Sequence, residues 1–293
     1  MISCKKWIII KRAILVVLFI FPIAYVAEIL AVTIHEVLGH GLSAVVFGGS
    51  FSGFVIKDDA MGWAFSSLPS NASHWAHILY LGSGVIATTV AGLLFLWGTL
   101  LVRDRAYIHI SLLLLSFMCM MDGIPYLLWN SYHPVPPGDL GKIIAIWRVG
   151  QLPWAVAIRE IFLVIGCLLF CASTAYFYTA IFARMETLIL DGGQFCGPSR
   201  LWALLLLLGV PGAIAWFTFD WNQLAPGVGI LPCVVGALSV LIMAFILFWF
   251  RLKMNSNSSV PPPTWKLLAA SWGLLAVTVV VIEFWLQHGV TWG

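Results

Sequence analysis

Apolar residues run along this chain in long stretches, with charged positions gathered in the short segments between them. Seven stretches, near residues 13–41, 75–102, 107–130, 157–183, 200–219, 228–250 and 265–287, reach the roughly 20 apolar residues that a helix needs to cross a bilayer. The pattern predicts an all-α polytopic membrane protein with about seven transmembrane helices, a single membrane domain over residues 1–293. After the first stretch, residues 51–65 (FSGFVIKDDAMGWAF) break into short alternating apolar runs around Lys57, Asp58 and Asp59, which predicts a hairpin-like outer loop. Pro261, Pro262 and Pro263 follow the polar run 255–259 and predict a loop before the last helix.

Composition strengthens this picture. Hydrophobic residues make up 61% of the chain and charged residues 9%, where a soluble domain carries about 25% charged residues. That excludes a soluble enzyme, a disordered tail and a nucleic-acid binder. The six cysteines form no CxxC pair and lie mostly in apolar runs, so they read as small buried hydrophobes. The first stretch is too long for a cleaved leader, and Glu28 interrupts the region where cleavage would fall.

Basic residues set an expected orientation. Lys5, Lys6, Lys11 and Arg12 precede the first span, Arg103 and Arg105 follow the second, Arg184 and Arg200 bracket the loop after the fourth, and Arg251, Lys253 and Lys266 lie between the last two. With seven spans all four groups share one side. The positive-inside rule makes that side cytoplasmic, with the N-terminus inside and the C-terminus outside.

The sharpest chemistry lies near the end of the first span, in Thr33-Ile34-His35-Glu36-Val37-Leu38-Gly39-His40-Gly41. Ionisable residues inside a membrane are costly, so they point to function by default. Two imidazoles can bind zinc, and the glutamate beside the first can act as general base toward a water that the metal activates. The usual zincin spacing, H-E-x-x-H, puts both histidines on one helix face. Here the second histidine comes one residue late. Around an α-helix, residues i and i+4 differ by about 40°, but i and i+5 by about 140°. His35 and His40 therefore meet one metal only if the helix widens locally or ends there. A π-bulge does this, and Gly39 and Gly41 make the distortion accessible.

The hexapeptide HEVLGH resembles the HExxGH of the dipeptidyl peptidase III family, in which both histidines bind zinc despite the inserted residue. Its surroundings resemble the site-2 protease family of intramembrane zinc metalloproteases. In that family a membrane helix carries the histidines, a hairpin or sheet follows, and an aspartate in a DG motif on a later helix completes the site. The resemblance covers residues 13–130, taken as a candidate catalytic core of three helices and a hairpin, with 131–293 as an additional four-helix region. It implies Zn²⁺ as cofactor, Glu36 as the catalytic base, and a membrane-embedded or membrane-adjacent peptide as substrate. Small residues in Tyr80-Leu81-Gly82-Ser83-Gly84 let helices approach closely, near the family's glycine-rich segment.

Two aspartates match the DG motif: Asp122 in Met121-Asp122-Gly123 and Asp191 in Leu190-Asp191-Gly192-Gly193. Asp191 is closer in letters, but topology favours Asp122. His35 lies 23 residues beyond Arg12, about 35 Å along a helix, and Asp122 lies 17 beyond Arg105, about 26 Å. Both helices run outward from the basic side, so the two can meet. Asp191 sits between Arg184 and Arg200 on the opposite face and reads as a turn residue. The expected metal ligands are thus His35, His40 and Asp122.

Glu28, two turns before His35, and Asp139, in the outer loop after the third span, are possible accessory groups, the latter to cap the site or bind substrate. His74 and His77, or Glu283, offer weaker alternatives, since helix ends carry such residues routinely. Two other functions share these residues. Glu28, His35, Glu36, His40, Asp122 and Glu283 would line a proton or metal-ion path in a transporter, and a non-catalytic relative would keep the fold and bind membrane partners.

Overall fold

The structure is a computed structural model describing residues 4–58, 61–132, 139–148, 154–191, 198–209 and 261–292. Its first helix, α1 (Cys4–Thr33), runs without a break into a π-helical turn at Ile34–Gly41 and a short α2 (Leu42–Val46). Two strands follow, β1 (Ser50–Ile56) and β2 (Gly62–Ser67), then α3 (His74–Leu101), α4 (Ala106–Tyr132), α5 (Asp139–Arg148), α6 (Trp154–Ile189) and α7 (Pro198–Leu204). The chain is described again for α8 (Trp265–Phe284) and a last strand β3 (Val290–Thr291).

Five helical stretches among the described residues are long and apolar enough to span a membrane: Trp7–Val46, His74–Leu101, Ala106–Ile124, Glu160–Ile189 and Trp265–His288. They correspond to the first four and the last of the seven expected spans. The expected fifth is described only to residue 209, and the sixth, 228–250, lies outside the described residues. Large apolar side chains cover the outward faces, among them Leu94, Trp97 and Leu100 on α3, Leu168 on α6 and Val277 on α8. Such a surface cannot face water and makes this an integral membrane protein.

The bundle has two distinct ends. At one, Arg12 pairs with Asp191 at 3.4 Å, Arg184 donates to the Arg103 carbonyl at 2.8 Å, and the Tyr107 hydroxyl donates to the Pro261 carbonyl at 2.5 Å. These contacts gather the start of α1, the α3–α4 turn, the end of α6 and the approach to α8. Asp191 itself takes a left-handed backbone, φ 57°, as a short polar side chain in a turn tolerates. The apolar core behind this end joins Val16 and Phe19 of α1, Ile110 and Leu113 of α4, and Phe177 and Leu188 of α6.

At the other end β1 and β2 pair antiparallel, from Ser50 opposite Ser67 to Ile56 opposite Gly62, with an irregularity between Phe51 and Gly53. β3 adds to the free side of β1, giving the order β2–β1–β3. So the architecture is not wholly α. The third strand comes from beyond the last span and closes on Gly53, where φ is 153° and any side chain would run into the Val290 carbonyl. Fully buried Ile56 anchors the sheet among Ile29 and Val32 of α1 and Ile282 of α8.

Pro22 interrupts α1 and deprives the Leu18 carbonyl of its intrahelical N–H. The indole N–H of Trp272 on α8 donates to that carbonyl at 3.0 Å, while its ring stacks on Phe21. A membrane offers no water to do the same, so a neighbouring helix must. Replacing Trp272 with Phe retains the stacking and removes the donor, and should cost about 0.6–1.7 kcal/mol in reversible detergent unfolding. In a Pro22→Ala background the backbone N–H returns, and the cost of Trp272→Phe should fall towards zero.

Candidate metal centre

The π-helical turn resolves the late histidine. Its wider winding stacks residues i and i+5, and the rings of His35 and His40 lie side by side with centroids 5.0 Å apart. Glycine permits the turn through close approach. A Cβ on Gly39 would press into the backbone of Gly84 on α3, and one on Gly41 would meet the Phe51 ring at 2.8 Å. Gly84 in turn leaves room for the His35 ring, which occupies the space its own side chain would need. Ser43 and Ser83 share a 2.8 Å hydrogen bond across the same contact.

Each imidazole is held by its Nδ1. His40 Nδ1 donates to the Tyr80 carbonyl at 3.1 Å, and His35 Nδ1 donates to Asp122 Oδ2 at 2.6 Å. With the proton on Nδ1, a neutral imidazole presents a lone pair at Nε2. Both Nε2 atoms face one oxygen of Asp139, at 2.8 Å from His40 and 3.4 Å from His35. Lys142 occupies the other oxygen at 3.3 Å. Asp139 opens α5 and stands outside the spans.

Three acceptors thus converge, which a divalent cation satisfies. Among the described residues, His35, His40 and Asp139 form the one group of three whose ligand atoms lie within 4.8 Å of one another. In a tetrahedral zinc site with bonds of about 2.0–2.1 Å, ligand atoms lie roughly 3.3 Å apart. The donor set and spacing therefore fit zinc. The carboxylate and the carbonyl on the two Nδ1 atoms are the outer partners that zinc-bound histidines normally have.

The cluster is enclosed, with His35 4%, His40 5% and Glu36 8% exposed. Glu36 lies in electrostatic reach of both histidines and of Asp139 and Asp122. It packs beneath β2, where a side chain on Gly62 would fall 2.9 Å from its Cγ. Of the other residues singled out from sequence, Glu28 is half-buried and lies within electrostatic reach of Asp122. Glu283 is exposed and accepts a 2.7 Å hydrogen bond from Gln287. Asp191 stays at the far end with Arg12. His77 donates to its own helix start at Ser73 and joins no ligand group among the described residues.

A bundle of apolar helices thus encloses a two-histidine, one-carboxylate cluster that could hold a metal ion. The family model described as Peptidase M50B-like matches residues 8–217, more than half of the chain. The chain belongs to this family, in accord with its resemblance to the site-2 proteases. Searches of curated proteins and of solved structures returned no match.

The close approach at Gly84 is open to test. Gly84→Ala drives a methyl group into the His35 ring and should destabilise by about 1–3 kcal/mol, with loss of bound metal. Gly82→Ala, whose new methyl would have no neighbour nearer than 3.9 Å, should leave both thermal unfolding and metal content near wild type.

Proposed function

We propose that this chain is an intramembrane zinc metallopeptidase that hydrolyses peptide bonds of membrane-embedded or membrane-adjacent substrates. The observation that carries this reading is the π-helical turn, which sets His35 and His40 side by side with both Nδ1 atoms engaged and both Nε2 atoms aimed at one point. A pair of buried structural histidines would not need both Nε2 atoms turned to one carboxylate oxygen beside a buried glutamate. When bound, zinc supplies a Lewis acid that polarises the peptide carbonyl and makes water acidic enough to attack near neutral pH.

The protein's own groups do the rest. His35 and His40 hold the metal, and Asp122 fixes the orientation and basicity of His35 through its Nδ1 hydrogen bond. Glu36 takes the proton of the attacking water and returns it to the leaving amine. The enclosure by β2 and α5 keeps lipid and bulk water from the reacting groups, which strengthens every charge interaction inside. The substrate segment approaches from the membrane or its surface beside β2. With the basic end of the bundle cytoplasmic, as positive charge favours, the site works in the outer half of the bilayer.

Membrane-spanning peptides incubated with the purified protein should be cleaved, with products read by mass spectrometry. Glu36→Gln should lower the rate by about 10²–10⁴-fold while zinc content, measured by elemental analysis, stays at one per chain as in the wild type. His40→Ala should lose both zinc and activity. Hydrolysis that persists in Glu36→Gln at wild-type rate would exclude Glu36 as the base. Zinc with no hydrolysis of any membrane peptide would favour the non-catalytic relative.

A further inference from the structure

We propose that the third zinc ligand is Asp139, contributed by the amphipathic helix α5, while Asp122 serves as the positioning residue behind His35. The inference rests on the metallopeptidase reading and names how its site is completed. Four observations converge on it. Asp122 meets His35 at Nδ1 and not at the Nε2 that meets Asp139. Asp139 meets both rings at Nε2, the only nitrogens left with lone pairs once Nδ1 of each is engaged. One oxygen of Asp139 lies on both histidines while Lys142 holds the other, which leaves a monodentate ligand. Finally, α5 is seated by its own apolar contacts, with Ile143 buried against Leu81 and flanked by Ile78, Tyr80 and Ile146. Tyr80 is the residue whose carbonyl holds His40.

The arrangement divides the ligands between two bodies. The histidines belong to the first span, and the carboxylate belongs to a ten-residue helix outside the spanning segments. Metal binding and the seating of α5 on α3 are then one equilibrium, because the metal gains its third bond only when α5 is docked. Loosening α5 weakens the metal without any change in the histidines. Ile143→Ala, which touches no ligand, should therefore weaken zinc binding as well.

Cobalt substitution separates ligand from positioning residue without recourse to activity. Full-length protein in detergent is stripped, reloaded with Co²⁺, and its visible spectrum and Zn²⁺ competition are recorded for wild type, Asp139→Ala, Asp139→Cys, Asp122→Asn and Asp122→Cys. Asp139→Ala should weaken zinc by more than about 100-fold, beyond the 10–100-fold typical of losing an outer partner, which is the range expected for Asp122→Asn. The Asp139→Cys protein should gain an intense near-ultraviolet thiolate-to-cobalt band, and the Asp122→Cys protein should not. The proposal is overturned if the band appears with Asp122→Cys, or if Asp139→Ala binds zinc as wild type does. Wild-type protein that takes up neither metal would instead overturn the metallopeptidase reading itself, and this assignment with it. Circular dichroism of each variant identifies those that fail to fold, and the two cysteine variants decide the matter independently of the alanine variant.

Discussion

Five positions rather than four separate His35 from His40, and a regular α-helix cannot turn both towards one point. Everything at the functional end follows from the way the chain meets that constraint. The first span widens into a π-turn over Ile34–Gly41, and the widened turn needs a neighbour that can come close. α3 supplies it with Gly84 and Ser83, which fit against Gly39 and Ser43. The same stretch of α3 delivers the Tyr80 carbonyl to His40 and buries the contact on which α5 rests. One inserted residue thus dictates the composition of a helix some 40 residues further along.

Much of this was legible in the residues, for physical reasons. A bilayer core accepts only long apolar helices, so runs of such residues declare themselves, and the described spans fall where those runs are. The angular arithmetic of the i, i+5 pair demanded a widened helix, and the glycines beside it marked where one could form. Helix direction, read from the basic segments, separated Asp122 from Asp191, which lie at opposite ends of the bundle.

Other features left no local trace. β3 has two residues, and its partner β1 lies across nearly the whole chain, so neither alternation nor a turn signal announces it. Which nitrogen of His35 meets which carboxylate depends on how α4 and α5 approach it, and no spacing encodes that. Asp139 illustrates the difficulty. An aspartate that opens a short helix is ordinarily explained by the helix dipole, and the same residue here also reaches two imidazoles. Its proximity to Lys142, three residues on, equally suits a solvated surface pair.

The strand at Val290–Thr291 has a temporal meaning. β1 and β2 can pair once both have been made and placed, but the sheet lacks its third member until α8 has been made and inserted. Only then can residues near position 290 reach back to Gly53, and only then does Trp292 donate to the Phe51 carbonyl beside the π-turn. The sheet whose β2 lies over Glu36 therefore gains its third strand last during biosynthesis. A partly synthesised chain would carry the histidines beside an unfinished sheet, and insertion of the last span becomes the condition for a complete one.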